Sequence, residues 1–208
     1  MAEGGRADRS LDRLLRLLPP HAGAGDIVDM RAATDRLGVA LPDDYRRFLA
    51  TYGTGTVDES LIVLSPDPEA PSVMPVSWLG AEQLAEPAMR RRNSPEQGRG
   101  HSVEDVLVWG LTASADTMGW LTESKDPQEW PVAVWARQGG GWSLYDCGMV
   151  EFLVRVLTAE FDSCPVSDLS LWGAESPRFL NVREEERLMN EGVDPWTGLP
   201  DPYAGEFD

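Results

Sequence analysis

The chain has 208 residues, 42% of them apolar, which is enough to build one buried core with a polar extension. Its 35 acidic against 18 basic residues give a formal net charge of −17, which argues against a nucleic-acid-binding protein because phosphate contacts need a basic surface. The sequence contains no signal-peptide pattern and no apolar run long enough to span a bilayer. We therefore expect a cytoplasmic protein without a membrane partner.

Two helices are predicted near the N-terminus. Residues 1–9 show no periodicity, and we expect them to be disordered. Ser10 is placed to cap a first helix, which ends at Pro19. Asp26 is placed to cap a second helix, which ends at Gly38.

A third helix is predicted between Leu41 and Gly53. Its apolar positions recur at the spacing i, i+3, i+4 and i+7, which defines one helix face: Tyr45, Phe48, Leu49 and Tyr52. Pro42 suits the first turn, and Gly53 can take the left-handed conformation that ends a helix. The pattern predicts a buried aromatic face, with solvated charges on the other side at Asp43, Asp44, Arg46 and Arg47.

Strand patterns follow the helices. Thr54 to Thr56 resemble a loop, a short apolar run at 60–64 predicts a strand, and the proline- and arginine-rich residues 66–100 predict an insertion of loops with one weak helix. Four further runs separated by turn residues predict an antiparallel meander: 103–109, 118–121, 131–136 and 142–145. Apolar positions at helical spacing between Met149 and Leu157 predict a helix that covers one sheet face.

The last part of the chain has a different composition. Prolines are scattered through residues 163–208, which we predict to be an acidic extension of a domain at 10–162. A short helix is predicted at 184–189. Trp196 and the other aromatic residues of this extension suit docking either onto the domain or onto a partner, and both alternatives stay open.

No motif in the sequence indicates catalysis, a metal site or a cofactor. The two histidines, His21 and His101, lie in predicted turns without a local acid or nucleophile partner. Cys147 and Cys164 match no metal-binding or disulfide spacing. Phosphate-binding and dinucleotide-binding glycine motifs are also missing, so we expect a protein that is not an enzyme.

The order of elements and several motifs resemble the SUKH superfamily. The resemblance covers about residues 26–160, and its most specific part is the LPxxYxxFLxxYG pattern that begins at Leu41. Further matches are the Leu-Val-Trp-Gly run at 107–110 and the Met-Gly-Trp run at 118–120. Residues that match the superfamily are expected to build the fold: Leu41, Pro42, Tyr45, Phe48, Leu49, Tyr52, Gly53, Trp109, Gly119 and Trp120.

This resemblance implies an α+β fold, with N-terminal helices and a C-terminal helix packed on a mainly antiparallel sheet. The superfamily includes yeast cell-wall assembly regulators of the Smi/Knr type and many bacterial immunity proteins, and it implies no enzymatic activity. Its bacterial members bind and neutralise a toxin, often a nuclease. The superfamily has no fixed catalytic residues that could be transferred to this chain.

Three functions are compatible with these observations. The first is an immunity protein whose acidic side chains bind a basic toxin domain, with these candidates: Asp58, Glu59, Asp116, Glu123, Asp126 and Glu129. The second is a housekeeping interaction scaffold or Smi/Knr-type regulator that recruits partners through the C-terminal extension. The third is an enzyme that uses His101 or a pair of carboxylates in a closed pocket.

Overall fold

One antiparallel sheet organises the molecule. The structure is a computed structural model, and it describes residues 4–70, 79, 106–139 and 141–201. Most of the predicted insertion, with its weak helix and arginine-rich loop, lies outside the described residues. His101 lies outside them as well.

The described part of the chain contains five α-helices and seven strands. The helices are α1 (Gly4–Leu17), α2 (Met30–Leu37), α3 (Asp43–Thr51), α4 (Met149–Leu157) and α5 (Val182–Asn190). The strands are β1 (Gly55–Val57), β2 (Leu61–Val63), β3 (Val106–Thr112), β4 (Thr117–Leu121), β5 (Val132–Ala136), β6 (Gly141–Tyr145) and β7 (Phe179–Asn181). Their order in the sheet is β6-β5-β4-β3-β2-β1-β7, and every neighbouring pair is antiparallel. This architecture confirms the predicted α+β class.

The first two helices begin at other residues than the sequence predicts. Helix α1 begins at Gly4, and Ser10 lies inside it as a buried residue. Helix α2 is capped by Asp29, whose carboxylate accepts two backbone N–H groups of the first turn at 3.0 Å. Asp26, the predicted cap, instead accepts the backbone N–H of Thr54 at 2.6 Å, so it ties the N-terminal segment to the start of the sheet.

Helix α3 presents its aromatic face to the core as predicted. Four side chains are completely buried at the predicted spacing: Tyr45, Phe48, Leu49 and Tyr52. The hydroxyl of Tyr45 donates to the Leu64 carbonyl at 2.6 Å, and that of Tyr52 donates to the Leu18 carbonyl at 2.8 Å. These bonds satisfy polar groups that would otherwise be costly to bury. Gly53 follows with φ +82°, the left-handed conformation that the sequence predicts.

Aromatic contacts join the helices to one face of the sheet. Trp120 of β4 meets Tyr45 of α3 edge-on, with ring centroids 5.1 Å apart. Trp109 of β3 meets Phe152 of α4 edge-on, at 6.2 Å. Edge-to-face pairs of this kind add to the free energy of simple burial. The core therefore lies between this sheet face and helices α1, α3 and α4.

Two strands are not predicted by the sequence. Gly55 and Thr56, expected to lie in a loop, belong to β1, which pairs on one side with β2 and on the other with β7. Strand β7 lies in the segment predicted as an extension, yet it completes the sheet. Phe179 of β7 packs edge-on against Phe48 and Tyr52, at 5.6 and 5.3 Å. The C-terminal segment thus contributes to the same core as α3.

Trp196 makes a contact within the C-terminal segment. The guanidinium of Arg178 lies 5.8 Å from the Trp196 ring centroid, and its Nη1 donates to the Trp196 carbonyl at 2.6 Å. This contact joins Trp196 to a residue of the C-terminal segment itself, directly before β7.

Candidate functional site

The predicted acidic residues lie at opposite ends of the sheet. The β1–β2 and β3–β4 turns share one end, because Leu61 at the start of β2 pairs with Thr112 at the end of β3. We call this the turn end. The β4–β5 connection lies at the other end, where Leu121 pairs with Val106, and we call this the loop end. The six predicted acidic residues therefore do not form one continuous contact surface for a partner.

At the turn end, Asp58 and Glu59 form the tight β1–β2 turn. Both have positive φ, 44° and 55°, and this conformation costs less for an aspartate or asparagine than for most other residues. Asp58 Oδ1 accepts the backbone N–H of Arg178 at 2.9 Å, so its carboxylate holds the segment before β7. Glu59 is exposed.

Asp116, also at the turn end, has an internal role. It is completely buried, and both of its carboxylate oxygens accept hydrogen bonds from the chain itself. Ser167 donates through its backbone N–H at 2.8 Å and its hydroxyl at 2.6 Å. The Arg137 N–H donates at 2.8 Å and the Thr112 hydroxyl at 3.0 Å. Asp116 thus joins the turns to the segment after α4 and offers no charge at the surface.

At the loop end, Glu123, Asp126 and Glu129 are all exposed. Asp126 caps the short 3-10 helix Pro127–Glu129 by accepting the N–H of Gln128 at 3.0 Å. Glu129 accepts the hydroxyl of Ser124 at 2.6 Å. These contacts hold the loop in one shape while its carboxylates face water.

A cleft of about 290 Å³ opens beside this loop, between the starts of α3 and α4. Five carboxylates and one guanidinium line it: Asp43, Asp44, Glu129, Asp146, Glu151 and Arg47. We call this cavity the acidic cleft. Because opposite charges attract across a low-dielectric wall more strongly than in open water, the excess of carboxylates favours a cationic group there.

Asp44 lies in the wall of the acidic cleft and is not the solvated charge that the sequence suggests. Only 9% of the residue is exposed. Its carboxylate accepts the N–H of Tyr45 at 2.8 Å and that of Val150 at 3.1 Å. Asp44 therefore caps α4, although it lies far from this helix in the sequence. Burial raises the pKa of Asp44 above its ordinary value, and the two N–H donors oppose that shift.

Apolar groups complete the acidic cleft. Trp120 and Trp130 contribute to its wall but are themselves buried, 0% and 3% exposed, with ring centroids 6.5 Å apart; Pro42 and Pro127 also line it. A guanidinium or ammonium side chain is suited to such a place because its alkyl stem packs on apolar surface while its charge meets carboxylates. The arrangement can therefore bind a basic side chain of another protein.

The described residues bear on three sequence predictions, which concern metal ions, the histidines and membrane spans. Within them, no three His, Cys, Asp or Glu side chains are grouped so that they could hold a metal ion. His21 Nδ1 accepts the N–H of Gly23 at 3.2 Å, a local turn contact outside the acidic cleft. None of the helices in the described ranges is long and apolar enough to cross a membrane.

Comparison with protein families supports the same fold. A family model described as SMI1-KNR4 cell-wall, of the SUKH type, matches residues 29–147, more than half of the chain. The chain belongs to this family. The match runs from the start of α2 past β6, and the SMI1-KNR4 region therefore includes α3 and the β4–β5 loop that frame the acidic cleft. Among curated proteins and among solved structures, none matches this chain significantly.

Membership of the SMI1-KNR4 family supports a protein-interaction domain in general. Of the six acidic residues predicted to bind a partner, Glu129 alone lines the acidic cleft, with Glu123 and Asp126 on the same loop. Sequence reasoning missed Asp44, Asp146 and Glu151. One signal was available: Gly148 precedes α4 without a capping side chain, so the cap had to come from elsewhere in the chain.

Proposed function

We propose that this protein is an immunity protein that binds a basic toxin domain, such as a nuclease, and blocks the surface where the toxin receives nucleic acid. The observation that carries the proposal is the acidic cleft, whose lining contains five acidic residues and one arginine. The family and the net charge of −17 support it.

Inhibition would proceed in two steps. Long-range attraction between an acidic protein and a basic toxin raises the association rate by roughly ten- to a thousand-fold. A toxin lysine or arginine then enters the acidic cleft, where the carboxylates meet its charge. The bound protein covers the phosphate-binding groups of the toxin, so nucleic acid is excluded.

Co-expression with the toxin encoded beside this gene tests the proposal. The wild-type chain is expected to restore growth, and the double variant Glu129→Gln/Asp146→Asn is expected to protect less. A matched control, Asp58→Asn/Glu59→Gln, removes the same charge at the turn end and should protect fully. Death of cells that carry the wild-type chain would contradict an immunity function. Equal loss in both double variants would contradict the acidic cleft as the binding surface.

A second candidate function, an interaction scaffold, is favoured by apolar residues exposed near the C-terminus. Met189 of α5 is 46% exposed and Leu199 is 63% exposed. Deletion of the C-terminal extension cannot test this candidate cleanly, because the deletion removes β7 from the sheet. The double variant Met189→Ser/Leu199→Ser changes only exposed side chains. Lost partner capture with intact toxin protection would support an additional scaffold function.

A further inference from the structure

Strand β6 is an edge of the sheet as the described residues form it. It pairs with β5 over all five residues in regular register, and no described residue forms a strand on its other side. The other edge strand, β7, has three buried residues and leads directly into α5. The two edges therefore differ in their access to another chain.

The pairing of β4 with β5 fixes which backbone groups of β6 point outward. Residues of an antiparallel pair alternate between those that exchange hydrogen bonds and those whose N–H and C=O point away. The N–H of Leu121 donates to the Pro131 carbonyl at 3.1 Å, so this pair bonds within β4 and β5. Val132, the next residue, then directs its backbone groups to Tyr145 of β6.

The same alternation applies along β6. Ser143, two residues before Tyr145, bonds to β5, whereas Trp142 and Leu144 direct their N–H and C=O groups away from the sheet. Among the described residues, no backbone group bonds to these four. Natural proteins usually protect such an edge with lysine, proline, a bulge or a very short strand. The sequence Gly-Trp-Ser-Leu-Tyr of β6 has none of these features.

We propose that β6 binds an extended strand of the basic partner, which adds to the sheet by backbone hydrogen bonds. This inference rests on the proposed immunity function. Strand β6 ends at Tyr145, and the next residue, Asp146, lines the acidic cleft. A partner strand added to β6 therefore reaches the acidic cleft at the end of β6. A basic side chain at that end of the partner strand meets the carboxylates. Strand addition supplies affinity through the backbone and leaves specificity to such pockets.

The charge of the molecule selects this occupant over a second copy of the chain. Two copies paired through β6 would each bring a net charge of −17 to the contact, which opposes their association. A basic partner experiences attraction instead. Self-association through β6 is accordingly one outcome that would overturn the proposal.

Amide hydrogen exchange of the full chain tests it, with the toxin encoded beside this gene as the probe. In the free protein, the amides of Trp142 and Leu144 are expected to exchange fast and that of Ser143 slowly. Bound toxin should slow the first two by roughly tenfold or more and leave Ser143 unchanged. Slow exchange of all three amides in the free protein would show an edge that is already paired, which contradicts the proposal.

Two variants make the test specific to the backbone. Leu144→Pro removes an N–H that no backbone group in the described ranges accepts, and proline is tolerated on an edge strand whose N–H faces solvent. Leu144→Thr changes the same side chain but keeps the N–H. The proline variant is expected to bind toxin at least roughly tenfold more weakly than the threonine variant. If the proline variant does not fold, the exchange of the wild-type amides still decides.

The possible results separate the two proposals. Toxin that binds without slowing the Trp142 and Leu144 amides would overturn strand addition and leave the immunity function standing. Toxin that does not bind the wild-type chain would overturn both.

Discussion

The carboxylate of Asp44 on α3 lies against Gly148, the residue directly before α4. A Cβ atom on Gly148 would stand 2.5 Å from Asp44 Oδ2, the same oxygen that accepts the Val150 N–H at 3.1 Å. One buried acid therefore fixes the relative position of two helix starts that are distant in the sequence. These helix starts form two walls of the acidic cleft, so its shape depends on this contact.

Adding a methyl group at Gly148 should destabilise the fold. In Gly148→Ala, the new Cβ collides with the Asp44 carboxylate, and overpacking of this kind costs about 1–3 kcal/mol of unfolding free energy. Urea unfolding of the variant measures the loss. Gly141→Ala is the control, because a Cβ there meets no atom within 4 Å. Equal stability of the two variants would contradict the close packing of Asp44 on Gly148.

Removing the Asp116 carboxylate should also destabilise the fold. Asp116→Ala leaves the backbone N–H groups of Ser167 and Arg137 without their acceptor, which costs about 2–4 kcal/mol for a buried charged network. Thermal unfolding checks this value. Glu123→Ala removes a carboxylate at the exposed loop end and is expected to change stability by less than about 0.5 kcal/mol.

Strand β7 should be essential to the domain. Phe179→Ala removes an aromatic side chain that is 3% exposed, and the change is expected to cost about 3–5 kcal/mol. The loss of its edge-on contact with Tyr52 adds to the effect of the cavity. Leu169→Ala, at a residue that is 65% exposed, is the control for chemical denaturation. A two-step unfolding curve for the wild-type chain would instead indicate a separable C-terminal unit.

Glu185 should make stability depend on pH. It is 4% exposed, and among the described residues its Oε1 has no hydrogen-bond partner. Burial raises the pKa of Glu185 from 4.5 to about 7; the nearby Glu59 and Glu186 add to the shift, and the Thr56 hydroxyl opposes it. The folded chain therefore keeps a proton that the unfolded chain releases, so stability falls as pH rises from about 4.5 to 7.

The variant Glu185→Gln tests this dependence, because it keeps the shape and stays neutral. It should match the wild type at about pH 4 and exceed it by about 2–3 kcal/mol at about pH 8. Glu175→Gln removes an exposed charge that does not act on Glu185 and controls for a general charge effect. Parallel stability curves for Glu185→Gln and the wild type would rule out a titrating Glu185.

Binding of the neighbouring toxin should weaken with salt. Raising the ionic strength from about 0.05 to 0.5 M shortens the screening length from above 10 Å to well below it, so the association rate is expected to fall roughly tenfold or more. Stopped-flow mixing measures this rate. The dissociation rate should change less, because contacts inside the acidic cleft are screened less than exposed charges. An association rate that is insensitive to salt would contradict electrostatic steering.

Helix α3 was predictable because the residues that define it lie close together in the sequence. Tyr45, Phe48 and Tyr52 repeat at the helical period, and Gly53 marks the end within one short segment. Strands β2 to β6 were predictable within a few residues for the same reason. By contrast, β1 and β7 are three residues each, too short to show alternation, and they become strands by pairing with each other across more than 120 residues.

The candidate site also combines features that the local sequence predicts with features that depend on distant segments. From the sequence, Asp116 and Glu123 are equivalent acids near turns of the meander, yet one is completely buried and the other is exposed. The difference depends on Ser167, which approaches Asp116 from 51 residues away. No local sequence pattern indicates such a contact, because the burial of a side chain depends on which distant segments pack over it.

The sequence by itself determined the class of fold, the family pattern and the acidic character of the protein. These properties depend on periodicity, motif and composition, which are local or additive along the chain. Only the tertiary structure decided that Asp44 caps α4, that five acidic residues line one cleft and that β6 is an edge of the sheet formed by the described strands. Each of these features needs segments far apart in sequence to meet, and their meeting is fixed by the packing of the whole core.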